Sequence, residues 1–229
     1  MLELDCFEWA QVYLAQHGET EPETMACISS ILKPGDTFLD VGAHIGYVSL
    51  VGRKAVGDGG LVIAIEPQPY NCERILKNWE INGFKNLQLH VAAAGPNSGF
   101  VKLPQQAATD KSRLSLQVKM HDALDLTFNV PILPLAHVLT EHGVERLKLM
   151  KIDVEGYEIS ALRGLERLID IVENIIFEAL AADAEDKART LEVCHWLRSH
   201  GYSLKTVDGQ PWDDRFPVLD GNLWAAKEK

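Results

Sequence analysis

The sequence predicts an α/β fold wound on both faces of a mostly parallel sheet, and three observations carry that expectation. Short apolar runs alternate with amphipathic helical patterns from about residue 37 onward, the signature of crossovers between parallel strands. Four of these runs end in an acid: Asp40 in "FLDVG", Glu66 in "VIAIEP", Asp153 in "LMKIDVEG" and Glu178 in "IIFEAL". The chain then closes on "YSLKTVDG" and "GNLWAAKEK", which read as an antiparallel pair at the edge of a mixed sheet.

The elements follow in order. Residues 5–17 read as an amphipathic helix with Asp5 as N-cap, Glu8 at the capping-box position and Gly18 as the stop. A second helix opens at "TEPE", with Thr20 as cap, Pro22 in the first turn and Glu23 completing the box; "KPGD" ends it after Leu32. "TFLDVG" is a strand, 45–55 a helix, and "LVIAIEP" a strand with a proline stop. "YNCERILKNWEING" is a helix closed by Gly83, and "NLQLHVAAAG" a third strand. Residues 96–134 break the rhythm: "GFVKLPQQ", "SRLSLQVKM" and "FNVPILPL" read as short strands or loops of an insertion at the edge of the site. "RLKLMKIDVEG" resumes the strands, a helix covers roughly 157–169, "ENIIFEAL" is the fifth strand, and 184–199 is a long helix stopped at Gly201.

At 229 residues the chain suits a single domain, 1–229, with N-terminal helices over 1–33 and the insertion over about 96–134. The net charge of −11, with Lys and Arg scattered, weighs against a broad nucleic-acid surface, which needs clustered cations. Cys6, Cys27, Cys72 and Cys194 lie far apart without a CxxC pair, so neither a zinc scaffold nor a disulfide framework is expected. The start "MLELDCFEWAQ" lacks a basic n-region, and no apolar run approaches the roughly 18 residues of a membrane span. A reducing cytoplasm is the expected compartment.

In an open parallel sheet, ligands bind outside the carboxyl ends of the strands. The four strand-end acids would therefore share one edge, where a cationic or hydroxyl-rich ligand offsets their desolvation. The loop "DVGAHIG" places Gly42 and Gly46 between a strand and a helix, allowing a tight turn and close backbone approach. The G-x-G-x-x-G of a dinucleotide fold is absent, and Asp40 before the loop would repel a pyrophosphate. An acid there suits a positive ligand, while Glu66 is placed to accept from a ribose diol. A nucleoside with a cationic tail and no phosphates describes S-adenosylmethionine.

"LKPGDTFLDVGAHIGYVSL", "GLVIAIEPQPYNCERILKNWEING", "NLQLHVAAAG" and "LKLMKIDVEGYEISALRGL" together resemble the FkbM-type S-adenosylmethionine-dependent methyltransferases, over about residues 19–180. The resemblance implies the class I methyltransferase fold, a seven-stranded sheet with one antiparallel edge strand, and O-methylation of hydroxyls on sugars or other natural products. By that resemblance Asp40, Gly42 and Gly46 would line the methionine part of the cofactor, with Ala43, His44, Pro67 and Asp153 completing the expected cofactor set. Glu66 would face the ribose, and Ala92 and Ala93 would border the adenine. Two positions depart from the family pattern: His44 stands where Asn is usual, and "PLAHVL", with Ala136 and His137, replaces a Leu-Asp pair.

For transfer to a hydroxyl, the protein must align the acceptor and remove its proton. Asp153 is the first candidate base, ending a central strand beside the expected sulfonium, and Glu155 is next. His44 and His137 are rival bases, since imidazole titrates near neutrality. Lys151 shares the strand face of Asp153 and either fixes its geometry or pairs with Glu155. Glu158 reads as first-turn helix chemistry. No metal set is assigned; the nearest oxygen ligands would be Asp153, Glu155 and Glu178. A small-molecule O-methyltransferase leads, with methylation of RNA or protein, or a non-catalytic cofactor-binding subunit, as alternatives.

Overall fold

The computed structural model describes residues 1–4, 9–104, 127–215 and 220–228. Its strands are β1 (Thr37–Val41), β2 (Leu61–Glu66), β3 (Leu87–Val91), β4 (Ala93–Ala94), β5 (Gly99–Pro104), β6 (Thr127–Leu133), β7 (Leu149–Ile152), β8 (Asn174–Ala179), β9 (Tyr202–Thr206) and β10 (Gly221–Lys227). Its helices are α1 (Trp9–His17), α2 (Pro22–Ile31), α3 (Tyr47–Val56), α4 (Pro69–Ile81), α5 (Leu135–Glu141), α6 (Glu158–Arg163) and α7 (Ala184–Ser199), with a 3-10 turn at Glu166–Ile171.

Seven strands form one sheet in the order β3-β2-β1-β7-β8-β10-β9. β10 runs antiparallel to both β8 and β9, so the reversed strand lies in the edge region, second from the end. This is the mostly parallel sheet that the alternating pattern predicts, in the class I Rossmann-like arrangement that the family resemblance implies. Successive strand residues face opposite sides, and the core divides accordingly. Phe38, Val62, Leu149 and Ile176 pack with Met25 and Ile28 of α2 and Leu50 of α3 on one face. Leu39, Ile63, Met150 and Phe177 pack with residues of α5, α6 and α7 on the other. Cys27, Cys72 and Cys194 are buried free thiols. Among the described residues no helix is long and apolar enough to cross a membrane.

Several boundaries differ from expectation. The cap of α2 is Glu21, in the left-handed region at φ 48°, with no side-chain capping bond; Thr20 does not cap it. "NLQLHVAAAG" is not one strand. It leaves the main sheet after Val91, because Ala93 and Ala94 pair with Ile132 and Leu133 of β6 in a separate sheet of order β4-β6-β5. The helix expected over 157–169 stops at Arg163, where the Gly164 carbonyl accepts from Ala136 N at 2.8 Å. A 3-10 turn follows instead of further α-helix. The expected Asp5 cap, the Glu8 capping-box contact and the "SRLSLQVKM" strand lie outside the described residues.

Candidate active site

The carboxyl ends of β1, β2 and β7 meet at the glycine loop. Gly42 and Ala43 donate their amides to Ile65 O at 2.9 and 3.1 Å, which moors the loop to β2. Gly42 has φ 84°, and a Cβ there would lie 1.8 Å from the Asp153 carbonyl oxygen. The two loops thus touch backbone to backbone, and glycine alone permits it. Gly46, at φ 82°, caps α3.

His44 also takes a left-handed conformation (φ 50°), and its amide donates to Glu66 Oε2 at 2.9 Å. Glu66 Oε1 accepts from Gln68 N at 3.0 Å and Asn71 Nδ2 at 3.1 Å. Burial raises the Glu66 pKa, and those donors work against the rise. A carboxylate offers about four acceptor positions; with three occupied, Glu66 is chiefly a brace for the loop with one position left for a ligand.

Asp40 is 1% exposed and accepts from Ser49 Oγ at 2.5 Å. Burial pushes its pKa from an ordinary 3.8 to about 6, against the pull of Ser49 and Lys151. The folded state then holds this proton more tightly than the unfolded chain, so the contribution of Asp40 to stability is lost as pH rises from about 4 through 6. Asp40→Asn, without cofactor, should gain stability relative to the parent across that window, by up to roughly 3 kcal/mol. Thermal midpoints of the two proteins at pH 4, 5, 6 and 7 check this, and parallel curves would refute it.

The charges at the end of β7 separate by role. Lys151 is 1% exposed, and its Nζ donates to Asp153 Oδ2 at 3.1 Å. Burial alone would lower its pKa, but Asp153, Glu21 and Glu178 raise it above the ordinary value, so it stays charged. Glu158 is buried, and its Oε1 accepts from Val154 N and Gly156 N, both at 3.1 Å. It therefore fastens the D-V-E-G loop rather than facing a ligand. Glu155 sits in that loop at φ 54°. Glu178, on the same sheet face as Lys151, is pushed up to about 9 by burial and then by Asp153 and Glu155. Its Oε2 is buried without a hydrogen-bond partner.

A cleft of about 380 Å³ opens at the loop, lined by Gly42, Ala43, His44 and Asp153 together with Tyr13, Leu14 and Glu21. Pro67 turns the chain after β2, while Ala92 and Ala93 are buried where β3 ends. His137 is exposed on α5, in the opposite layer, close enough to His90 to affect its charge. The structure thus brings Asp40, Gly42, Ala43, His44, Gly46, Glu66 and Asp153 together, and leaves His137 on another element. Sequence reasoning missed Ser49 and Asn71, whose only signal is a polar residue on the buried side of a helix.

Residues 40–204 match the family described as the methyltransferase FkbM domain. The chain belongs to this family. It is accordingly a methyltransferase, with S-adenosylmethionine as cofactor. Among curated relatives, "Methyltransferase sdnD" of Sordaria araneosa is 28% identical over 216 residues, covering 81% of each chain. "Methyltransferase 1" of Beauveria bassiana (strain ARSEF 2860) is 26% identical over 200 residues, 78% of this chain and 77% of that one. A solved FkbM methyltransferase from Methylobacillus flagellatus KT superposes with a TM-score of 0.54 at 17% identity, covering 93% of this chain and 57% of its own. At that identity the likeness is one of fold alone.

Proposed function

We propose that the protein transfers a methyl group from S-adenosylmethionine to a hydroxyl of a small molecule. The observation that carries this is the half-exposed Asp153 carboxylate at the wall of the loop cleft, oriented by a buried, charged Lys151. The residues present fit the cofactor. Asp40 is an almost fully buried acid that a nearby cation would favour in its charged form, and Glu66 keeps one acceptor position for a ribose hydroxyl. Gly42, Ala43, His44 and Gly46 would hold the methionine part, Glu66 and Pro67 the ribose, and Ala92 and Ala93 the adenine edge. Bound there, the cofactor supplies an electrophilic methyl on a sulfonium.

The protein's own part is to hold the acceptor hydroxyl in line and accept its proton. Asp153 takes that proton, with Glu155, His44 and His137 as the rival groups. A second cavity of about 500 Å³, lined by Glu21, Thr24, Trp212, Asp220 and Asn222, shares Glu21 with the cofactor cleft and offers room for the acceptor. The reading takes residues 1–229 as one methyltransferase domain, with 1–33 and about 96–134 shaping the acceptor side. The net charge of −11 favours a small molecule over RNA, and buried free thiols suit the cytoplasm.

The test is transfer of labelled methyl from S-adenosylmethionine to a panel of hydroxylated small molecules, with bulk RNA and protein as comparators. Label on a hydroxylated compound supports the reading. Label on RNA or protein alone overturns it, as does calorimetric binding of the cofactor without turnover on any acceptor.

A further inference from the structure

We propose that His90, Glu141 and His142 form a binding site for a borderline divalent metal of the zinc type, tying edge strand β3 to the end of α5. The three residues come from two elements that the sequence does not link. His90 is the fourth residue of β3, in register with Ile65 of β2. Glu141 ends α5, and His142 is its C-cap, with the His142 amide donating to Val138 O at 3.3 Å. Both backbones are thus held by their own hydrogen bonds before any metal arrives.

The side chains converge. His90 Nε2 and His142 Nε2 are 2.8 Å apart, with the rings edge to face. One ligand atom from each of the three residues lies within 4.8 Å of the others. Two imidazole nitrogens and one carboxylate oxygen are a zinc-type donor set, and three protein ligands leave a fourth position for water. Zinc–nitrogen bonds of about 2.0–2.1 Å in a tetrahedron set the nitrogens roughly 3.3 Å apart, so the rings need to open by about 0.5 Å. Two χ angles on each His supply that. Hard cations such as Mg²⁺ are poor matches to imidazole.

Asp153, Glu155 and Glu178, the oxygen set considered from sequence, do not converge in this way. Among the described residues the His90 group is the one that does. Its position has a consequence for the fold: His90 lies two residues before Ala92, where β3 gives way to the second sheet. A metal there would clamp the open edge of the main sheet at that departure.

The experiment uses the full chain, stripped with a chelator, titrated with Zn²⁺ by calorimetry and with Mg²⁺ as control. Expected are one Zn²⁺ per chain, no saturable Mg²⁺ heat, and a rise in the thermal midpoint of about 5–10 °C at a hundredfold excess over Kd. Affinity should fall at least tenfold in His90→Gln and in His142→Gln, and less in Glu141→Gln. Circular dichroism of each metal-free variant verifies its fold. Co²⁺ in place of Zn²⁺ should give the intense visible absorption of a tetrahedral centre, which vanishes in the double His variant. No saturable Zn²⁺ binding, or the same stoichiometry and affinity in the folded double variant, would overturn the proposal.

Discussion

Asp153→Asn is expected to lower turnover by about 10² to 10⁴-fold, the usual contribution of a general base, while cofactor affinity stays within a few-fold. The substitution keeps the shape of the side chain, and the Asp153 backbone carbonyl that packs on Gly42 is untouched. What disappears is the carboxylate. Lys151, 1% exposed, would then have a neutral Asn oxygen in place of its 3.1 Å ionic partner, beside the Ile152 carbonyl at 3.5 Å. Removing one member of a buried or half-buried pair leaves a desolvated charge, so some loss of thermal stability accompanies the loss of rate. Kinetics at saturating cofactor separate the two effects, because a purely structural role would depress the stability and leave turnover per folded molecule unchanged. Unchanged turnover would exclude Asp153 as the base and move the role to Glu155, His44 or His137.

The second large effect is on the backbone. Gly42→Ala places a Cβ at 1.8 Å from the Asp153 carbonyl oxygen, on a residue already at φ 84°. Left-handed strain alone costs about 1–3 kcal/mol in a residue with a side chain, and no flexible side chain is available here to yield, since the obstacle is backbone. The glycine loop and the D-V-E-G loop must part. We expect a loss of at least about 3 kcal/mol, a fall in midpoint of roughly 6–12 °C, and loss of cofactor binding. Gly46→Ala is the informative partner. It has nearly the same φ, 82°, but its Cβ would first meet Ile75 side-chain carbon, at 3.2 Å, with the nearest backbone atom no closer than 3.6 Å, so its cost should be clearly smaller. Denaturation of both variants checks the order; equal losses would mean that the contact with Asp153 is not what constrains the loop.

The strand framework was legible because each strand of the parallel part is an apolar run bounded by turn residues, and four of them end in the acids Asp40, Glu66, Asp153 and Glu178. The long helix α7 was equally plain, running over Ala184–Ser199 as expected. The misread boundaries share a cause. Ala93 and Ala94 are drawn off by Ile132 and Leu133, and Gly164 gives its carbonyl to Ala136. Contacts between residues tens of positions apart override local pattern there, and one sequence does not reveal them. The site divides in the same way. The glycine loop and the acid after β7 announce themselves by residue type and spacing. The bracing of Glu66 by Asn71, the fastening of the D-V-E-G loop by Glu158, and the raised pKa of Glu178 depend on what burial brings alongside each group. His90 and His142, 52 positions apart, have no sequence signature at all.

The cofactor is expected to lie across the carboxyl ends of β1, β2 and β7, over the Gly42–Gly46 loop. A crystal structure of the full chain with S-adenosylhomocysteine tests it most directly. Expected there are the amino-acid portion over Gly42, Ala43 and Gly46 near Asp40, a ribose hydroxyl on Glu66, the adenine beside Ala92 and Ala93, and the sulfur facing Asp153. A nucleoside bound anywhere else, or one seated there with Asp153 turned away from the sulfur, would contradict it.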